Sequence, residues 1–248
     1  MNFKRIFEEK SVESWNIYIP NLSVDCVVFG FHNAQLKVLL LKAKIKGVLH
    51  LPGGYVLKTE NLNEAANRIL FERTGASNIY LQQFRVFSDL NRNQGLFDEL
   101  SDDIWNKQRF ISVGFYALVD FTQVDLVEDE ISEVGEWKSL DELPELMMDH
   151  RYILDKALVT LRKQLNYKPI GYSLLPEKFT MPELQKLYEI ILDKKLNRGN
   201  FYRKMLRYDI LEKLDESRKG GSHKAPDLYR FDVAKYQSAL KNGLNEGW

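Results

Sequence analysis

Residues 23–31 read SVDCVVFGF, a β-rich run, and after His32-Asn33-Ala34 the segment 36–42, LKVLLLK, continues in the same character. Short runs rich in β-branched and aromatic residues predict two strands joined as a hairpin. Two more strands are predicted near 79–88 and 110–120, and the alternation of strands and helix ends near Trp137 and the next helix. Helical periodicity starts at Leu62, where Ala65, Ala66 and Ile69 return to one side at spacings of three and four, and Gly75 supplies the usual left-handed stop. Residues 150–165 place Ile153, Ala157, Leu161 and Leu165 four apart, a narrow apolar seam along a second helix. Strands alternating with helices predict an α/β sandwich for this part of the chain.

Lys168-Pro169-Ile170-Gly171 breaks the seam helix and divides the chain into an α/β domain of residues 1–165, with lead-in and connecting helix, and a second domain of 166–248. The second domain opens on Phe179-Thr180-Met181-Pro182-Glu183. Thr180 and Glu183 have capping-box spacing, and Pro182 is tolerated in a first turn, where its missing N–H costs little. Leu184, Leu187, Tyr188 and Ile191 then fall at i, i+3, i+4 and i+7. A second helix follows Asn197, with Phe201, Met205 and Tyr208 on one face and Asn200, Arg203, Lys204 and Arg207 on the other. Ile210–Leu214 predicts a strand, Asp215–Pro226 a polar loop, and Leu228–Phe231 a returning strand. Helix, turn, helix, strand, basic loop, strand is the order of a winged helix-turn-helix. At the other end, residues 1–20 predict a short helical lead-in whose Phe3, Ile6 and Phe7 dock on the body or on a second subunit. Residues 91–108 form an insertion whose Asp98, Glu99, Asp102 and Asp103 predict a solvated acidic loop, with a metal site as the alternative.

Charge changes this picture. The chain of 248 residues has 35 Lys and Arg against 35 Asp and Glu, a formal net charge of zero. Residues 194–230 nevertheless hold 11 basic and 5 acidic residues, 11 − 5 = +6, which leaves −6 for the rest. A basic module on an acidic body points to a polyanionic partner. Arginine forks onto guanine, asparagine onto adenine, and lysine or arginine neutralises phosphate, so the Asn200 to Arg207 face reads as a recognition helix; a solvated amphipathic helix is the alternative. The single Cys26 lies within the first apolar run and reads as a core thiol; one cysteine excludes an intrachain disulfide and suits a reducing cytoplasm. No signal peptide is evident, and no run approaches the ~18 apolar residues of a membrane span, so a cytoplasmic protein is expected.

Residues 53–76, GGYVLKTENLNEAANRILFERTGA, are similar to a Nudix box. Gly54, Glu60, Arg68, Leu70, Glu72 and Gly75 fall on the pattern, and the flanking Leu51-Pro52-Gly53 and Thr74 agree with it. In Nudix enzymes one helix face carries three glutamates that hold divalent cations against a diphosphate. This chain places Ile69, Glu72 and Arg73 there, and an arginine, charged at all accessible pH, repels a metal. The resemblance therefore implies the Nudix fold without catalytic, metal or cofactor residues. A Mg²⁺-dependent hydrolase of a nucleoside diphosphate or ADP-sugar, using Glu60 and Glu72, is the alternative.

With Asp149-His150, Pro169-Ile170-Gly171, Leu174-Leu175-Pro176, Leu187-Tyr188-Glu189, Arg198-Gly199-Asn200-Phe201 and Leu228-Tyr229-Arg230-Phe231 added, nearly the whole chain resembles the bacterial Nudix-related transcriptional regulators. That resemblance implies a dimer on double-stranded operator DNA and a small effector, of the ADP-ribose or L-arabinose type. The implied DNA-contacting residues are Thr180, Arg198, Asn200, Arg203, Lys204 and Arg207 with Arg218, Lys219, His223 and Lys224 of the wing. Those for effector are Glu60, Arg68, Glu72, Asp89 and Arg92; a structural Arg68–Glu72 pair is the alternative for Arg68. A protein-interaction adaptor with no salt-sensitive DNA binding remains the third reading.

Overall fold

The computed structural model describes residues 3–44, 47–75, 79–92, 100–121, 124, 132–217 and 226–244. The chain gathers into two units, one of Met1–Gly30 with Lys37–Leu158 and one of Phe31–Leu36 with Val159–Trp248.

In the first unit β1 (Tyr18–His32) is the central strand of a seven-stranded mixed sheet. The path runs β3 (Leu49–His50), β2 (Gln35–Ala43), β1, β6 (Ile111–Val119), β5 (Tyr80–Phe87), while β4 (Gly53–Leu57) pairs with β1 and β7 (Ser132–Ser139) with β2. β1 lies parallel to β6 and antiparallel to β4. Val24 and Cys26 to Phe29 are fully buried, which is why the strand does not alternate: both of its faces are covered. Asn33 and Ala34, with φ of 50° and 55°, make the left-handed two-residue turn whose twist matches the β1–β2 hairpin. Cys26 is a core thiol, its pKa pushed up by burial and then by Asp25.

The box helix, α2 (Leu62–Thr74), is set at both ends by local chemistry. Asn61 accepts from the Glu64 amide, the Glu64 carboxylate accepts from the Asn61 amide at 2.8 Å, and Gly75 closes the helix at φ 63°. Together such caps contribute about 1–2 kcal/mol. Ala65, Ala66, Ile69 and Leu70 join Val24, Cys26 and Val28 of β1 and Val113, Phe115 and Ala117 of β6 in one core.

The lead-in forms α1 (Phe3–Ile17), which buries Phe7, Ser11 and Ser14. Its partner corrects the expectation of a solvated insertion. Residues 105–107 make a 3₁₀ turn, Trp105 is fully buried, and its amide donates to Ser11 Oγ at 2.8 Å. Trp15, Tyr18, Tyr55 and Phe110 surround the Trp105 ring with centroid separations of 4.8–6.1 Å. Burial of this aromatic side chain fixes the segment against α1, while the acidic residues beside it stay in solvent and oppose nothing. Asp102 and Asp103 are exposed, Asp102 pairing with Lys107 at 2.8 Å; Asp98 and Glu99 lie outside the described residues.

α3 (His150–Gln164) carries the chain from the first unit into the second and buries Ile153, Ala157 and Leu161 along its seam, with Leu165 just beyond. The second unit holds β8 (Phe179–Thr180), α4 (Met181–Leu192), α5 (Arg198–Arg207), β9 (Leu211–Ser217), β10 (Asp227–Phe231) and α6 (Val233–Asn242). Its sheet has the order β8-β10-β9, all antiparallel. β9 runs three residues further than its hydrophobic pattern suggests, because ladder pairing with β10 holds Asp215–Ser217 extended. β8 and α6 complete the winged helix. β8 is two residues long and leaves no periodicity to read. No helix among the described residues is long and apolar enough to cross a membrane.

Candidate functional site

α2 presents the eroded box. Arg68 binds Glu60 through Nη2 and Nε at 2.7 and 3.0 Å, the Tyr55 carbonyl at 2.9 Å, and Glu72 at 3.2 Å. Glu60 also accepts from the Leu57 amide at 2.8 Å, and Arg68 holds its carboxyl below the usual carboxylate range. Glu60 and Arg68 thus tie α2 to β4. Ile69 is 2% exposed and sits under Gly54, where a Cβ would meet its side chain at 3.1 Å. A carboxylate at position 69 would stand in the apolar core, and Arg73 brings a second cation beside the surviving Glu72. Among the described residues no three His, Cys, Asp or Glu side chains are grouped to hold a metal ion. These residues do not fit the cation that Nudix chemistry uses.

A second constellation lies at the Gly53 end of β4, and Asp25 is its centre. A lone carboxylate in the middle of the buried strand β1 demands partners, since isolated buried charge is very costly. It has them: Ser112 Oγ donates at 2.6 Å and Arg92 Nη2 at 3.0 Å, while Gly53, whose Cβ would lie 2.7 Å from Asp25 Oδ1, lets the carboxylate fit. Arg92, its side chain 2% exposed, also forks onto Asp149 at 2.9 and 3.0 Å. Asp149 immediately precedes α3. His150 Nδ1 accepts from the Leu51 amide at 2.9 Å, with its Nε2 3.7 Å from Asp25, and His50 Nδ1 donates to the Leu51 carbonyl at 2.8 Å. Burial opposes the Asp25 charge, but His150, Arg92 and Ser112 more than offset it, and the carboxyl is held below its ordinary range.

Burial lowers both histidines, His50 to about 4 with help from His150 and Arg73. Protonated His150 would also turn its Nδ1 acceptor into a donor facing the Leu51 N–H. Because the folded pKa values lie below the unfolded ones, the unfolded chain binds more protons between them, and stability falls as pH drops from about 6.5 toward about 4. Asp25, with its depressed pKa, adds to the loss only below about 4. Denaturant titrations at about pH 7.5 and about pH 5 are expected to show this decline, and His50→Gln is expected to flatten it.

Beside this network a cleft of about 670 Å³ is lined by the segment following β5, including Asp89 and Arg92, and by Asp149 and Tyr152 at the start of α3. The structure therefore brings Asp89 and Arg92 together, and places Glu60, Arg68 and Glu72 in the separate α2 cluster. Asn91, Asp149 and Tyr152 also line the cleft and were not among the residues expected at an effector site. The available signal was Asp25, whose position within an apolar run announces a buried cation.

The second unit presents the basic face. Asn197 caps α5 by accepting from the Asn200 amide at 3.0 Å, and the turn from α4 is pinned where Glu189 accepts from the Leu196 amide at 2.9 Å. Phe201 and Met205 are buried, whereas Arg198, Asn200, Arg203 and Arg207 are exposed and Lys204 half-buried over the Tyr208 ring. Arg203 Nη2 donates to Asn200 Oδ1 at 2.6 Å. Other cations of the segment are matched by acids: Lys213 with Asp227 and Arg230 with Glu212, both at 2.8 Å. Thr180 does not belong to this face. It is 4% exposed, and its hydroxyl donates to Glu183 at 2.9 Å within the capping box of α4, so no lone hydroxyl remains at the surface. Arg218, Lys219, His223 and Lys224 lie outside the described residues.

Comparison with known proteins agrees with both halves. Residues 20–157 match the NUDIX domain and residues 171–231 the NrtR DNA-binding winged helix domain. The chain is 32% identical over 225 residues to the ADPR responsive transcriptional repressor NtrR of Acinetobacter baylyi, covering 88% of this chain and 84% of that one. It is similar to the crystal structure of Shewanella oneidensis NrtR, with a TM-score of 0.71 and 26% identity over 87% of this chain and 96% of that one. The same protein complexed with a 27mer DNA gives 0.70 and 27%, over 87% and 95%. With a Nudix domain in which Ile69 and Arg73 replace metal ligands, followed by a winged helix with a basic α5, the chain belongs to the NrtR-type family of Nudix-related transcriptional regulators.

Proposed function

We propose that this protein is a DNA-binding transcriptional regulator whose Nudix domain senses a small metabolite without hydrolysing it. The observation that carries the reading is α5, whose exposed face concentrates Arg198, Asn200, Arg203 and Arg207 over a buried Phe201 and Met205. The Acinetobacter baylyi relative supports repression and an effector of the ADP-ribose type; a free sugar is the other effector consistent with an eroded box. The protein acts as a homodimer on a two-fold operator, with half-sites about 34–36 Å apart, and the effector changes the fit of the two winged helices to that spacing. Lys204 and the wing residues Arg218, Lys219, His223 and Lys224 contribute phosphate contacts.

The test is titration of the full chain against a duplex from the promoter of its own or an adjacent gene. If six or more phosphates are neutralised, affinity is expected to fall by roughly 10³-fold between about 50 and 200 mM salt. Salt-insensitive or absent binding would sink the reading in favour of a protein-interaction adaptor. Hydrolysis of ADP-ribose and sugar nucleotides with Mg²⁺ or Mn²⁺ is expected to stay at background. Turnover that Glu72→Gln abolishes would instead support the hydrolase.

A further inference from the structure

We infer that Asn200 and Arg203 read the major groove as one unit that only donates hydrogen bonds, and that together they select a guanine with a keto base, guanine or thymine, beside it. The inference rests on the DNA-binding reading above and specifies which bases α5 takes. Both residues are exposed on the first two turns of α5, the part of a recognition helix that meets base edges. Residues three apart share a helix face, and Arg203 Nη2 donates to Asn200 Oδ1 at 2.6 Å. The backbone beneath is fixed, because Asn197 accepts from the Asn200 amide at 3.0 Å and the buried Phe201 ring packs against Tyr188 with centroids 5.4 Å apart.

A guanidinium has no acceptor, so the atom of Asn200 that faces it is the oxygen, and the NH2 group is turned away from it. Asparagine forks onto adenine by accepting from N6 through Oδ1 while donating to N7 through Nδ2. With Arg203 on that oxygen, a second acceptance would press the adenine amino group against a guanidinium that also only donates. The pairing therefore closes the adenine fork that the residue type by itself allows. What the pair presents to the groove is the Nδ2 hydrogens and the remaining guanidinium N–H groups, donors throughout. Guanine shows two acceptors there, N7 and O6, and thymine shows O4, whereas adenine and cytosine each show an amino donor. Guanine under the arginine and a keto base under the amide satisfy such an array. An amino group in either place leaves donors facing donors, desolvated and unpaired, which costs more than a bond merely unmade.

Selection of binding sites from a pool of randomised DNA duplexes by the full-length protein tests this. The wild type is expected to select half-sites with a guanine–keto step, and an adenine in place of that guanine, or an adenine or cytosine in place of the keto base, to weaken binding by ~10-fold. Asn200→Asp keeps the acceptor for Arg203 and replaces the NH2 group by an oxygen. Its preference at the neighbouring position is expected to switch to a base that offers an amino group, cytosine above all. Arg203→Ala releases Asn200 Oδ1 and is expected to lose the guanine and gain adenine beside it. Both side chains are exposed, and unchanged melting temperatures check that the variants fold. Selection of adenine at the Asn200 position by the wild type, or the same sites selected by wild type and Asn200→Asp, would overturn the inference. Salt-sensitive binding without sequence preference would also overturn it and leave the DNA-binding reading standing; absence of binding to any duplex would remove both.

Discussion

Replacing Arg203 and Arg207 together by alanine is expected to weaken operator binding by at least ~30-fold and to flatten its salt dependence, while the fold stays intact. Both side chains are exposed on α5, and alanine is the best helix former, so the buried Phe201 and Met205 keep their packing. Each arginine that forks onto a guanine contributes roughly 1–3 kcal/mol of discrimination, and each also neutralises backbone charge. Asn200 accepts from Arg203 at 2.6 Å, so the two side chains are already joined before DNA arrives. Less side-chain freedom is then lost on binding. Lys235→Ala serves as the comparison, because Lys235 lies on α6 and is matched by Asp209 at 2.7 Å. Fluorescence anisotropy over a salt series checks both variants. Unchanged binding by the double variant would show that α5 does not read the operator.

Arg92→Met is expected to destabilise the first unit by about 3–5 kcal/mol, the cost typical of removing one partner from a buried ion pair. The effect is large because one guanidinium serves two carboxylates, Asp25 at 3.0 Å and Asp149 at 2.9 Å. Its sign with pH identifies the cause. In the native protein Asp25 has a depressed pKa, so its contribution is present above the unfolded value and disappears as pH falls through the folded one. Without Arg92, burial raises the Asp25 pKa instead, and the variant regains ground on acidification. The stability gap between native protein and variant should therefore narrow from about pH 7 to about pH 5 in urea titrations. A constant gap would mean that lost packing, not uncompensated charge, causes the effect.

The same network separates what was readable in the chain from what was not. The Nudix helix, its Gly75 stop, the β1–β2 hairpin and the α4 and α5 helices follow from periodicity, caps and turn residues. All of these act within a few positions of sequence, where local geometry decides. The α2 cluster was partly legible, since Arg68 and Glu72 stand at helical spacing, although the stronger Arg68–Glu60 pair spans a loop. Thr180 shows the limit of local signals: its capping-box spacing with Glu183 was visible, whereas its burial in β8 beside Leu228 of β10 depends on pairing across the fold.

Ile69 and Arg73, read from the chain, put an apolar side chain and a cation where the Nudix pattern carries glutamates, because residue type and helical phase suffice for that statement. The alternation of apolar and basic positions likewise determines that α5 is backed by a core and faces outward with cations. Only the tertiary structure decides where Arg92 goes. It lies 67 positions from Asp25 and 57 from Asp149, and no local preference encodes pairings at that distance. Closing the sheet around Asp25 makes an unpaired carboxylate intolerable. The need to neutralise that one buried charge draws Arg92 in from the chain beyond β5 and shapes the cleft beside it.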